Sequence, residues 1–134
     1  MKSLAAWTVF CIALSTAPSY SQDPDCSDTS DLNQGEMNFC AGKAYQAADA
    51  ELNAVWKQVY PSLKRRDEET GFEEPTLAEA VLEAQRNWIA YRDSNCRSQG
   101  LIYRGGSIVP LIVNSCLESM TEQRIKELRE FLPQ

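Results

Sequence analysis

Histidine is absent from all 134 residues of this chain. With it go the commonest general base, every histidine-based nucleophilic triad and the most frequent metal-ligating side chain. Cys-x-x-Cys is absent as well, and the cysteine spacings are wide, so the ligand pattern of a zinc site is missing. No apolar run approaches the roughly twenty residues that cross a bilayer as a helix. Basic residues are the minority, 13 against 19 acidic ones, for a formal charge of −6. That balance disfavours nucleic acid and anionic lipid and favours basic partners through electrostatic steering. There is no internal repeat and no low-complexity tract.

What the chain does have begins with an export signal. Lys2 is followed by the apolar stretch Leu4–Leu14 and then by small residues, so cleavage is expected near Ser19 or Ser21. Cys11 would leave with the leader. Phe10 before it is too large for a lipobox, so the mature chain, residues 22–134, is expected without a lipid anchor, in the periplasm or outside the cell. Losing residues 1–21 removes Lys2 and no acid, which leaves a formal charge of −7 on a single domain long enough for a core. Cys26, Cys40, Cys96 and Cys116 remain. An even number of cysteines in a small exported domain reads as disulfides, with three pairings allowed.

The apolar residues recur at helical spacing. Met37, Cys40, Ala41, Ala44, Ala48, Leu52, Val55, Trp56, Val59 and Leu63 step by threes and fours along one helix face. Pro61 is expected to kink this helix or end it near Tyr60. Residues 64–75 carry mixed charge, Gly71 and Pro75, and read as an exposed connection. Thr76-Leu77-Ala78-Glu79 has the form of a capping box opening a second helix to about Gln99. Leu77, Val81, Ala84, Trp88 and Tyr91 or Arg92 are its expected buried face, and with Trp56 the residues Trp88, Tyr91 and Arg92 form the expected core. Tyr103-Arg104-Gly105-Gly106 breaks that helix, and Ser107 is placed to cap a third. Pro110 falls in its first turn, where a missing amide costs little. Leu111, Ile112, Cys116, Met120, Arg124, Leu128 and Leu132 continue it to the C-terminus.

Matched lengths and short connections predict an all-α, up-down-up bundle of about three long helices, stabilised by disulfides. Such a bundle gathers the start of the first helix, the end of the second and the start of the third at one end. Cys40, Cys96 and Cys116 fall there, together with the Tyr103–Ser107 loop. A 96–116 link would close the second corner, leaving 26–40 to tie the N-terminal segment to the first helix. The same clustering leaves the other two pairings open.

No catalytic constellation is legible. Ser107 has no base beside it, and the acid pairs Glu68-Glu69 and Glu73-Glu74 lie in the charged connection rather than a shaped pocket. The segment Gln85–Cys96 is polar for a helix that carries two aromatics. Gln85, Trp88, Arg92 and Cys96 share a face, which predicts an interhelical polar network under an aromatic lid. Asp93 and Arg97 are spaced as a helical ion pair. No metal and no cofactor is called for.

Several blocks carry a resemblance: Glu36-Met37-Asn38-Phe39-Cys40-Ala41, Ala48-Asp49-Ala50-Glu51-Leu52-Asn53, Ala84 through Cys96, Gly105-Gly106-Ser107-Ile108-Val109-Pro110, and Cys116-Leu117 with Thr121, Arg124 and Leu128. Together they resemble the LprI-type lysozyme inhibitor family across nearly all of the mature chain. The resemblance implies an all-helical periplasmic or secreted domain and inhibition of a lysozyme; with no catalytic constellation legible, the chain is expected to bind a lysozyme or another peptidoglycan hydrolase and not to be an enzyme. The missing lipobox departs from lipid-anchored relatives. Lysozyme works with two carboxyl groups in a cleft, and a protruding loop with a guanidinium and a hydroxyl suits such a target. Arg104 and Ser107 are the residues for that contact, Tyr103 is an aromatic anchor, and Gly105 and Gly106 permit close backbone approach. The plain alternative for the loop is a helix–helix corner, and for the domain an envelope binding module with a different partner.

Overall fold

The computed structural model describes residues 23–28, 30–71 and 74–133, so the expected leader lies outside the described residues. Three helices account for most of it: α1 (Gln34–Thr70), α2 (Leu77–Leu101) and α3 (Val109–Arg129). Short connections make α2 antiparallel to its neighbours, so α1 and α3 run parallel. Their register is visible where Asn38 Nδ2 donates to the Ser107 carbonyl at 2.8 Å. The helices are up, down and up as expected, with α3 packed chiefly against α1.

Each helix start is specified locally. Asn33 caps α1: its Oδ1 accepts from the amides of Gly35 and Glu36, while Glu36 accepts from the Asn33 amide at 2.8 Å. Thr76 and Glu79 form the expected reciprocal box on α2. Asp67, from the last turns of α1, adds a second anchor by accepting from the Leu77 and Ala78 amides at 3.0 and 2.9 Å. A carboxylate at a helix N-terminus satisfies two orphan donors and complements the helix dipole.

Three expectations are corrected. α1 does not end near Tyr60: it passes through Pro61 and reaches Thr70, 37 residues or about 55 Å. Pro61 and Lys57 are both exposed, so the carbonyl that the proline leaves unpaired is on the wet side, while Val59 and Leu63 stay fully buried on the other. Residues 64–70 therefore belong to α1, and the connection shrinks to the stretch between Thr70 and Leu77. Gly71 ends the helix in the left-handed conformation, at φ 63°. Ser107 does not cap α3: the cap position is Ile108, with no side-chain hydrogen bond, and Pro110 sits in the first turn as expected.

The interior is zoned along the bundle axis. The apolar core lies toward the Asp67 corner and comprises Leu52, Val55, Val59, Leu63, Ala78, Val81, Ile125 and Leu128. Trp56 and Trp88 pack against it half-buried, and Trp56 stacks on Tyr60 at 5.4 Å. Buried polar residues occupy the middle. At the other end the buried residues are small, Cys40, Ala41, Cys96 and Gly100, and the helices are held covalently, by Cys26–Cys40 and Cys96–Cys116. Both links match the favoured pairing.

Candidate functional site

Two groups of residues are candidates for the site: the buried polar layer and the loop beyond it. Gln85, Arg92 and Thr121 are the buried polar side chains among the described residues. Arg92 Nη1 donates to Asp49 Oδ1 and to Thr121 Oγ1, both at 3.0 Å, and its Nε donates to Asp93 Oδ1 at 2.9 Å. The guanidinium also lies 5.2 Å from the Trp88 ring and 5.4 Å from the Tyr45 ring. Burial works against its charge, but the bonds to Asp49 and Asp93 more than offset this and hold its pKa above the ordinary arginine value. Arg124 approaches Trp88 at 5.8 Å and donates to Gln85 Oε1 at 2.9 Å and Glu127 Oε2 at 2.8 Å. Trp88 thus meets two cations, one from its own helix and one from α3. No buried side-chain nitrogen or oxygen among the described residues lacks a partner. A closed, fully satisfied network of this kind fixes the register of three helices.

The expected network is therefore present, with changes in its membership. Tyr91 is not core: it is 60% exposed, one residue round the helix from Arg92, which takes the buried position. Ala84 is exposed too. Asp93 pairs with Arg92 rather than Arg97. Thr121 and Ile125, which the α3 stripe passed over, are buried. Their signal was the step Leu117, Thr121, Ile125, Leu128, a helical face one residue round from the one chosen. Glu73 lies outside the described residues, and Glu68 and Glu69 are exposed. No cluster of three cysteine or acidic side chains among the described residues is arranged to hold a metal ion.

The loop beyond the network is exposed throughout, from Leu101 to Ser107. Three large apolar side chains at its start face solvent, with Leu101 50%, Ile102 77% and Tyr103 46% exposed. Successive tight turns carry the chain onward: the amides of Tyr103, Arg104 and Gly106 donate to the carbonyls of Gly100, Leu101 and Tyr103. Gly105 supplies the left-handed step, at φ 85°. No ion pair engages Arg104 among the described residues. Two anchors hold the loop's base, the Cys96–Cys116 disulfide and the Asn38 bond to Ser107.

The match to known proteins covers this whole arrangement. The family model described as lysozyme inhibitor LprI matches residues 26–128. The chain belongs to the LprI family. Its match begins at the first disulfide cysteine and ends at the last fully buried core leucine, so the LprI region contains both links, the Arg92 network and the loop. An uncharacterized protein of Rhizobium meliloti (strain 1021) is 39% identical over 120 residues, 87% of this chain and 86% of the relative. No solved structure matches. No helix among the described residues is long and apolar enough to cross a membrane.

Proposed function

We propose that this LprI-family protein is exported by its residue 1–21 signal peptide. Its domain, residues 22–134, then inhibits a lysozyme or related peptidoglycan hydrolase by inserting the Tyr103–Ser107 loop into the substrate cleft. It is a binder and not a catalyst. The observation that carries the reading is the exposure of that loop on a braced base. Leu101, Ile102 and Tyr103 present apolar surface that water disfavours, next to the Arg104 guanidinium, which no ion pair engages among the described residues. Apolar and aromatic anchors ringed by polar groups are the usual anatomy of a binding hot spot, and a braced loop loses little entropy on docking. Arg104 and the Ser107 hydroxyl are suited to a carboxylate-lined cleft, and the acidic body suits a basic hydrolase.

The test is lysis of cell-wall substrate by a panel of lysozymes with and without the protein. Arg104→Ala and Ser107→Gly should each weaken inhibition by about 1.5–3 kcal/mol, roughly ten- to hundredfold, with the fold kept. Inhibition unchanged in both variants would remove the loop from the interface. Inhibition of no lysozyme in the panel would favour an envelope binding module with another partner.

A further inference from the structure

A groove of about 590 Å³ runs along the seam between α1 and α3. Nothing from α2 lines it, so it opens on the side of the seam away from α2. Its walls are mostly apolar and partly small: Met37, Ala41 and Ala44 from α1 and Leu111 from α3, with the small polar Ser115 beside it. The Cys26–Cys40 disulfide also borders it. Among the described residues two charged ones line it, and they have opposite sign: Lys43 on the α1 wall and Glu118 on the α3 wall.

The register of these two can be read from their neighbours. Gly42 lies beside Asn114, since a Cβ on Gly42 would stand 3.7 Å from Asn114 Nδ2. Lys43 is one residue beyond Gly42 and Glu118 four beyond Asn114. On parallel helices that is a difference of three residues, about 4.5 Å of rise and less than one turn. The two residues therefore stand within one helical turn of each other on opposite walls, with the Lys43 ammonium now resting over the Phe39 ring at 5.6 Å, within reach of rotation about its flexible stem. Burial, and then the charge of Glu122, push the Glu118 carboxyl above its ordinary pKa, so this carboxylate gains by meeting a cation.

A surface with opposite charges within one helical turn of each other on two parallel walls is complementary to itself. A two-fold axis parallel to the helices sets α1 of one copy against α3 of the other. We infer that the groove is the seam of a homodimer in which Lys43 of each copy pairs with Glu118 of the partner subunit. Alanine and serine between the charges let the four helices approach closely. The two reciprocal pairs offset, at the interface, the repulsion between two acidic chains. The arrangement is parallel, so both Tyr103–Ser107 loops extend from the same end, and the dimer would offer two inhibitory tips to one cell-wall surface. The inference does not depend on what the loop binds.

The experiment is sedimentation equilibrium of the disulfide-bonded protein, with helical content checked by circular dichroism. The wild type is expected to be a dimer. K43E and E118K should each raise the dimer dissociation constant at least about tenfold, by setting like charges across the seam twice. The double variant K43E/E118K restores opposite signs and should recover the dimer. R104A, a change at the tip, should leave the mass unchanged. A wild type that stays monomeric at every concentration would overturn the inference, whether or not its groove takes up another ligand. So would a dimer indifferent to both single reversals, or a double variant no better than the single ones.

Discussion

The guanidinium of Arg92 and the carboxylate of Asp49 meet at 3.0 Å across 43 residues of sequence, in the middle of a bundle whose apolar core lies to one side. The Arg92 side chain is 6% exposed and that of Asp49 is 38% exposed, so the pair is half wet. Asp49→Ala removes one of three hydrogen-bond partners from a buried cation. It should cost about 1.5–3 kcal/mol, while Asp49→Asn, which keeps an acceptor, should cost less. Urea unfolding of the two variants measures the difference.

Trp88 lies between the cations of Arg92 and Arg124 but is only half-buried. Trp88→Ala is expected to cost about 2–4 kcal/mol, below the upper range for a fully enclosed aromatic but raised by two lost cation–π contacts. A chemical denaturation midpoint close to that of the wild type would mean that the two arginines repack without the ring.

Gly100 faces Val113, whose Cγ2 would stand 2.5 Å from an added Cβ. Valine is stiff at χ1 and cannot swing aside cheaply. Gly100→Ala gains about 1 kcal/mol in helix propensity and loses about 1–3 kcal/mol to overpacking. The clash is expected to win, and the melting temperature should fall.

Ser107 makes no side-chain hydrogen bond to the start of α3. Ser107→Ala should therefore change stability by less than about 0.5 kcal/mol. A loss near 1 kcal/mol in thermal unfolding would restore the capping role expected from sequence.

Burial raises the pKa of Tyr45 above 10.0; Arg92 opposes this, and the nearby charges of Asp49 and Asp93 add to it. The folded state therefore holds this phenolic proton more tightly than the unfolded chain. The resulting stabilisation of the folded state is complete below pH 10 and is lost as pH rises through the higher folded value. Alkaline unfolding followed by circular dichroism should show a shallower pH dependence in Tyr45→Phe.

Much of this fold was legible before the structure. The helical stripes, the Thr76 capping box and the cysteine arithmetic led to three helices, a braced end and the favoured disulfide pairing, because each rests on local spacing. What was missed depended on which side of an element faces water. Pro61 reads as a breaker wherever its lost hydrogen bond matters, and here that bond is on the exposed face. Arg92 outranked Tyr91 as the buried residue because three oxygens converge on it, and those come from Asp49, Asp93 and Thr121 on three different helices. The α3 stripe falls one residue round from the buried face because Cys116 and Met120 read as core, whereas Thr121 and Ile125 take the buried positions. The loop's position was legible from topology, whereas its outward apolar side chains emerge only with the fold.

The division of the bundle into an apolar end and a covalent end makes its integrity conditional on the compartment. Leucine and valine burial needs no oxidant, so the half of the molecule around Leu63 and Leu128 can assemble as soon as the helices meet. The half that carries the loop has small buried residues such as Ala41 and Gly100 and depends on two sulfur–sulfur bonds. In a reducing cytosol the same chain would keep much of its helix and leave the tip loose, a precursor unable to brace the loop. Oxidation would then finish the structure; under the proposed export and inhibition, the loop would become a binding surface only on the side of the membrane where a hydrolase acts.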